Sequence, residues 1–389
     1  MLTDRVSMGI LTGSFPPETI DELVRAHGVR EQRRRELPAD VMVYFTIAMW
    51  LWRGSGYTEV LKQMTDALRV ASWRGPATEW MGEVPNSSSI TKARKRLGWQ
   101  AMEEVFRSSI EPVAEPGTGQ RWHDLAPVGI DGATLDLPET GANRSYFGTP
   151  SGGAFPQARF VAACEIATRR LIGAAVGAYG ESEKALLLKM IDQLGAGQVA
   201  VLDRGFCGYD LFEHIRSTGA EVLMRAGAQF GLKPKEVLAD GSWIAHLNKP
   251  GRRSVPVRVI EYSVTSTDTF TGEETVGETI TLITSLLDHV RYPIEDFPVL
   301  YRQRWTCETV YDQVKTDLRG GTEVLFRSTS PAGVLAEFWG LMCLYQGISD
   351  VVDHVVLDAG LPPGDAVSFK AATSFVRRSV SWTDAAFSP

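Results

Sequence analysis

Five residues, Gln198-Val-Ala-Val-Leu202, set the strongest limit on what this chain can fold into. A short run with almost no polar interruption reads as a strand buried on both faces, which occurs where helices cover a sheet from two sides. The flanking pattern agrees. Glu181–Leu194 and Tyr209–Ser217 read as amphipathic helices, and Glu221–Arg225 as another apolar strand. Upstream, Pro127–Ile130 and Thr134–Leu137 read as short strands, and Arg159–Ala167 and Leu171–Gly177 as longer ones. The order β-β-β-α-β-α-β predicts an α/β sheet with at least one right-handed crossover.

The rest of the chain has a different texture. At 389 residues it has room for two or three domains. Residues 1–120 show apolar spacing of helical period, broken by Pro76, Pro85, Pro112 and Pro116, and are expected to form a helical domain. Two basic clusters lie there: Lys92, Arg94, Lys95 and Arg96 on a helix capped near Asn86, and Arg30, Arg33, Arg34 and Arg35. They read either as DNA-phosphate contacts of a helix-turn-helix or as a solvated helix face. Residues 121–227 are the first part of the α/β core. Residues 228–297 lose the helical pattern and are expected as an inserted β-subdomain. Helix returns over Val299–Leu318 and Gly333–Val356, within a last core segment of 298–356, and 357–389 form a tail.

Composition removes several classes. No apolar run reaches the ~18–20 residues of a membrane span, and no secretory signal is legible at the N-terminus. The four cysteines are scattered, without a C-x-x-C pair, which argues against a disulfide scaffold or zinc ribbon and fits a reducing cytosol. A net charge of −7 is a weak argument against nucleic acid, so any DNA contact must come from local cations.

The chemistry concentrates in Tyr301-Arg-Gln-Arg-Trp-Thr-Cys-Glu-Thr-Val-Tyr-Asp-Gln-Val-Lys315. At 100° per residue, Tyr301, Arg304, Glu308 and Lys315 fall within about 60° of arc on one helix. A carboxylate among two cations and a phenol suits a phosphate-and-metal site, although Arg304 and Glu308 could equally form an ordinary i, i+4 ion pair. Asp131 follows the first apolar strand and Asp203 the fourth, and ligands of open α/β sheets collect at strand carboxyl ends. Together with Glu308 they make three hard oxygen donors, suited to Mg²⁺ or Mn²⁺. Glu183 reads as a helix cap or surface charge, and Trp305 as a packing residue.

These residues resemble those of DDE transposases, specifically the bacterial insertion-sequence "IS-four" family. Tyr301, Arg304, Glu308 and Lys315 match its Tyr-x2-Arg-x3-Glu-x6-Lys signature at every spacing, and Asp131-Gly-Ala-Thr-Leu-Asp136 and Asp203-Arg-Gly-Phe206 match its aspartate elements. The resemblance implies an RNase H-like core with an inserted β-subdomain, preceded by helices. It implies Asp131, Asp203 and Glu308 as catalytic metal ligands for two Mg²⁺ ions, with Mn²⁺ tolerated. It implies DNA contacts from Tyr301, Arg304 and Lys315, and base flipping by a Trp of the insertion, for which Trp243 is the candidate. The expected function is cut-and-paste DNA transposition in the bacterial cytosol, by a homodimer on two DNA ends. The rival readings are a silent DNA-binding relative and a metal-dependent nuclease of the same fold.

Overall fold

A computed structural model describes residues 8–31, 36–70, 84–110, 121–227, 230–267, 274–321, 325–361 and 367–379. Six helices come first: α1 (Met8–Ser14), α2 (Pro17–Ala26), α3 (Ala39–Leu51), α4 (Tyr57–Val70), α5 (Ser87–Leu97) and α6 (Trp99–Ser108). Then follow β1 (Ala126–Asp136), α7 (Gly141–Phe147), β2 (Gln157–Glu165), β3 (Leu171–Ala178), α8 (Glu183–Lys189), β4 (Gln198–Leu202), α9 (Tyr209–Ser217) and β5 (Glu221–Arg225). The 228–297 region supplies β6 (Glu236–Val237), β7 (Trp243–Leu247), β8 (Val255–Thr267) and β9 (Glu274–Thr284). Last come α10 (Asp296–Gln303), α11 (Thr306–Asp312), α12 (Pro331–Asp358) and α13 (Phe369–Ser379).

The sheet order among the described residues is β3-β2-β1-β4-β5-β9-β8-β7-β6. β1, β2 and β3 are antiparallel neighbours, whereas β4 runs parallel to β1 and β5 parallel to β4. The 3-2-1-4-5 portion is the RNase H-like arrangement that the sequence led us to expect. All five residues of β4 are buried. Strand alternation divides its side chains, with Val199 and Val201 facing α10 and Leu202 facing α8 and α9.

One sequence expectation changes. Pro127–Ile130 and Thr134–Leu137 are not separate strands, because β1 runs unbroken through Asp131 and Gly132 and pairs with β2 along nine residues. The strands of 228–297 join the core sheet edge-on, with Leu223–Arg225 of β5 antiparallel to Leu282–Thr284 of β9. Pairing of β9 to β5 satisfies the backbone groups that the β5 edge would otherwise present to solvent.

The helical layers share one core. Every residue of α3 from Val41 to Leu51 is buried, as expected of a helix apolar on all sides. Its main partner is α12, buried from Val334 to Ser349. The two cross closely at Gly340, where a β-carbon would stand 2.8 Å from the Thr46 carbonyl oxygen. The Trp50 indole N–H also donates to the Glu337 carbonyl at 2.7 Å. The N-terminal helices therefore rest on α12. Gly340→Ala is expected to force this crossing apart and cost about 1–3 kcal/mol; a thermal unfolding midpoint no lower than wild type would contradict the close approach.

Candidate active site

The parallel pairing of β1 and β4 ends at Ile130 opposite Leu202. The next residues, Asp131 and Asp203, are therefore neighbours on strands about 4.8 Å apart. Both side chains fall on the sheet face that α10 and α11 cover. Asp131 Oδ1 accepts from the Gly132 N–H at 2.8 Å, and its Oδ2 accepts from Arg304 Nη1 at 3.1 Å. Burial pushes the Asp131 carboxyl above its ordinary range, the Gly132 N–H and Arg304 oppose that, and the Asp203 charge adds to it. Asp203 Oδ1 caps the turn Arg204–Phe206, accepting from Gly205 N–H at 2.8 Å and Phe206 N–H at 3.3 Å.

The signature segment is not one regular helix. α10 stops at Gln303, and successive i→i−3 bonds from Arg304, Trp305, Cys307 and Glu308 tighten the chain before α11. After Asp312 the segment widens into a π-helical turn, Gln313–Leu318, which carries Lys315. The uniform 100° count therefore does not describe this segment, and Tyr301, which that count put on a polar stripe with the other three, is buried in the core. Arg304 sits at the joint, nine-tenths buried, with Nη2 3.7 Å from Glu308 Oε1. One guanidinium therefore connects Asp131 to Glu308. Burial works against the Arg304 charge, yet Asp131, Tyr301 and Asp203 outweigh it and hold its pKa above the ordinary value. Burial lowers the Lys315 pKa with help from Arg319, while the charges of Asp312, Asp131 and Asp136 oppose it. Tyr301 is buried in the core beneath β4 and β5, and that burial raises its phenol pKa.

Two glycines explain how the strand and helices come this close. At Gly129 a β-carbon would stand 2.5 Å from Cys307 Sγ, and at Gly132 one would stand 2.4 Å from the Glu183 carboxyl carbon. Tyr311 pins the same point, its hydroxyl donating to the Asp131 carbonyl. Glu183 is thus part of the surroundings of Asp131, not a remote cap or surface charge as its sequence position indicated. Ser182 is the helix cap instead, accepting from Ala185 N–H at 3.2 Å. The donor chemistry, carboxylates alone, fits a hard divalent cation. Among the described residues no three acids, histidines or cysteines stand at ligand spacing. Arg304 lies between Asp131 and Glu308.

The residues 5–107 match the family described as "Insertion element 4 transposase N-terminal", and residues 125–346 match "Transposase DDE domain". The chain belongs to the DDE transposases. This transposase is 26% identical over 342 residues to the transposase InsG for insertion sequence element IS4 of Escherichia coli strain K12, covering 85% of this chain and 73% of that one. A cryo-EM structure of a piggyBac transposase synaptic complex with hairpin DNA aligns with a TM-score of 0.49 and 12% identity, over 97% of this chain and 80% of that chain. Membership makes the chain a DNA-cleaving and strand-transferring enzyme. No helix among the described residues is long and apolar enough to cross a membrane.

Other expected contacts fare differently. Arg94 is not available to DNA, because it is buried with its Nη2 3.1 Å from Glu337 Oε1 and its Nη1 2.7 Å from the Tyr57 hydroxyl. Arg96 is held by Glu31 at 2.8 Å. Lys92 and Lys95 are exposed on the other side of α5. Arg30 pairs with Asp21, while Arg33, Arg34 and Arg35 lie outside the described residues. Trp243 is not brought to the carboxylates. It is four strands from β4, roughly 19 Å across the sheet, half-buried, with its indole N–H donating to the Leu232 carbonyl at 3.1 Å. Trp305, expected to pack, is 63% exposed beside Arg304 and Glu308. Removing the Arg94 guanidinium leaves Glu337 buried without its cation, so Arg94→Ala is expected to cost about 3–5 kcal/mol. Lys92→Ala and Lys95→Ala should stay within about 0.5 kcal/mol of wild type; thermal unfolding of the three variants checks this contrast.

Proposed function

We propose that this transposase excises a DNA element by cutting at its ends and joins the freed 3′ ends to target DNA. The observation that carries the reading is the placement of Asp131 beside Asp203, with Arg304 joining Asp131 to Glu308. In this reading Asp131, Asp203 and Glu308 hold two Mg²⁺ ions, Mn²⁺ being tolerated. When bound, such ions lower the pKa of an attacking oxygen and stabilise the leaving oxygen of an in-line phosphoryl displacement.

The protein's own residues supply position and charge. Arg304 neutralises the repulsion between neighbouring carboxylates and, with Lys315, presents cations to the scissile phosphate. Tyr301, held in the core, fixes the angle of α10 and hence of Arg304. Asp131 stays fixed because its backbone is tied to β2, β4 and Tyr311, so little reorganisation is needed when the phosphate arrives. Trp305 offers an exposed aromatic face next to the site, where an unstacked base can lie. Lys92 and Lys95 on α5 contribute phosphate contacts from the helical layer. Two copies of the chain, each engaging one DNA end, form the working assembly.

The test uses purified full-length protein, Mg²⁺ and labelled DNA bearing the sequences that flank its gene. Expected products are nicks at the element boundaries and strand-transfer joints. Asp131→Asn, Asp203→Asn and Glu308→Gln should bind the DNA and give at least a hundredfold less product. Specific binding without any product from wild type supports the silent DNA-binding alternative instead, and cleavage without joining supports the nuclease. Lys92→Ala combined with Lys95→Ala should reduce the slope of log affinity against log salt by about two. An unchanged slope removes those lysines from the interface.

A further inference from the structure

We propose that Glu183 is a fourth carboxylate of the cation-binding site, reaching the strand ends from the sheet face opposite Glu308. The proposal rests on the metal-dependent reading above and adds to it a residue outside the DDE triad.

The argument begins with β1. Asp131 faces α11, so by strand alternation Gly132 faces α8. Ile130, on the same side as Gly132, packs in the core formed with Leu186 and Leu187 of α8. Glu183 is the first residue of α8, and its carboxyl lies against Gly132: a β-carbon there would sit 2.4 Å from Cδ and 2.5 Å from Oε1. Any side chain at position 132 would therefore displace the carboxyl. The space beside Asp131 is left by a glycine and filled by an acid.

The surroundings of Glu183 disfavour a negative charge there. Burial pushes its carboxyl above the ordinary range, Arg159 opposes this, and Asp131 and Asp203 raise it further. Arg159 is itself fixed, donating to the Glu181 carbonyl at 3.2 Å and lying 5.0 Å from the centre of the Tyr179 ring. The geometry carries the assignment: the Glu183 carboxyl lies against the residue that follows Asp131, and carboxylate oxygens are the donors a hard divalent cation takes. Its chain neighbour Glu181 serves as a contrast, since that carboxylate is neutralised by Lys189 at 2.6 Å. Glu183 therefore acts as a cation-facing group that holds either the ion or one of its water molecules.

The experiment measures Mn²⁺ binding to the full-length protein by electron paramagnetic resonance, without reference to turnover. Glu183→Gln should weaken Mn²⁺ about tenfold or more. Gly132→Ala should weaken it similarly by moving the wild-type carboxyl, while Glu181→Gln should leave it within twofold. Thermal unfolding of each variant verifies that it is folded. As a second readout, Fe²⁺ with ascorbate and peroxide should cut the wild-type backbone near both Asp131 and Glu183. If Glu183→Gln binds Mn²⁺ as wild type does while Asp131→Asn loses it, Glu183 is not part of the site and the metal-dependent reading stands. If wild type binds no better than Asp131→Asn, that reading fails and this inference fails with it.

Discussion

The architecture depends on how closely helices can approach one strand. β1 carries Asp131 between Gly129 and Gly132, and each glycine admits a group from one side of the sheet. Cys307 of α11 comes down on Gly129, and Glu183 of α8 comes up on Gly132. A β-carbon at position 129 would collide with the Cys307 sulfur, and one at position 132 would displace the Glu183 carboxyl. The parallel bond to β4 then brings Asp203 alongside. The acidic centre is thus a consequence of backbone proximity, with long side chains needed only from the helices.

The same economy governs charge. Arg304 is buried where a guanidinium would ordinarily be costly, and it is retained because three groups of opposite or polar character, Asp131, Tyr301 and Asp203, surround it. Glu337 shows the structural counterpart, accepting from Arg94, from Ser328 Oγ at 2.5 Å and from the Arg327 N–H at 2.8 Å. One buried ion pair organises chemistry, and the other fastens the first helices to α12.

Much of this was legible in the residues. The unbroken apolar run of β4 required a covered sheet and put Asp203 at its end, whereas Asp131, read as following a strand, lies within β1 where the pairing with β4 stops. The signature helix was legible as a helix, but its tight joint at Arg304 and its π-turn were not, because apolar period records which side faces the core and not the local rise. Arg94 resembled its neighbours Lys92 and Lys95; only Glu337, 243 positions away in sequence, distinguishes it. Trp243 was favoured by its place in the insertion, and the sheet order that removes it depends on the β5–β9 pairing. Glu183 had a signal, the second glycine of Gly129-Ile-Asp-Gly132, but a glycine names a close neighbour without saying which.

The turn that carries Lys315 is closed by two arginines from opposite ends of the chain. Arg53 Nη1 donates to the carbonyls of Asp317 and Leu318 at 3.1 and 3.0 Å, and Arg377 Nη2 reaches the same two at 3.1 and 3.3 Å. These carbonyls lie at a helix end, where they need donors that the helix itself does not supply. During synthesis the first donor is made long before the turn, and the second only after α12 has been completed. Lys315 is therefore fully braced only when segments on both sides of it in sequence, one before the sheet and one after α12, have packed against the same turn.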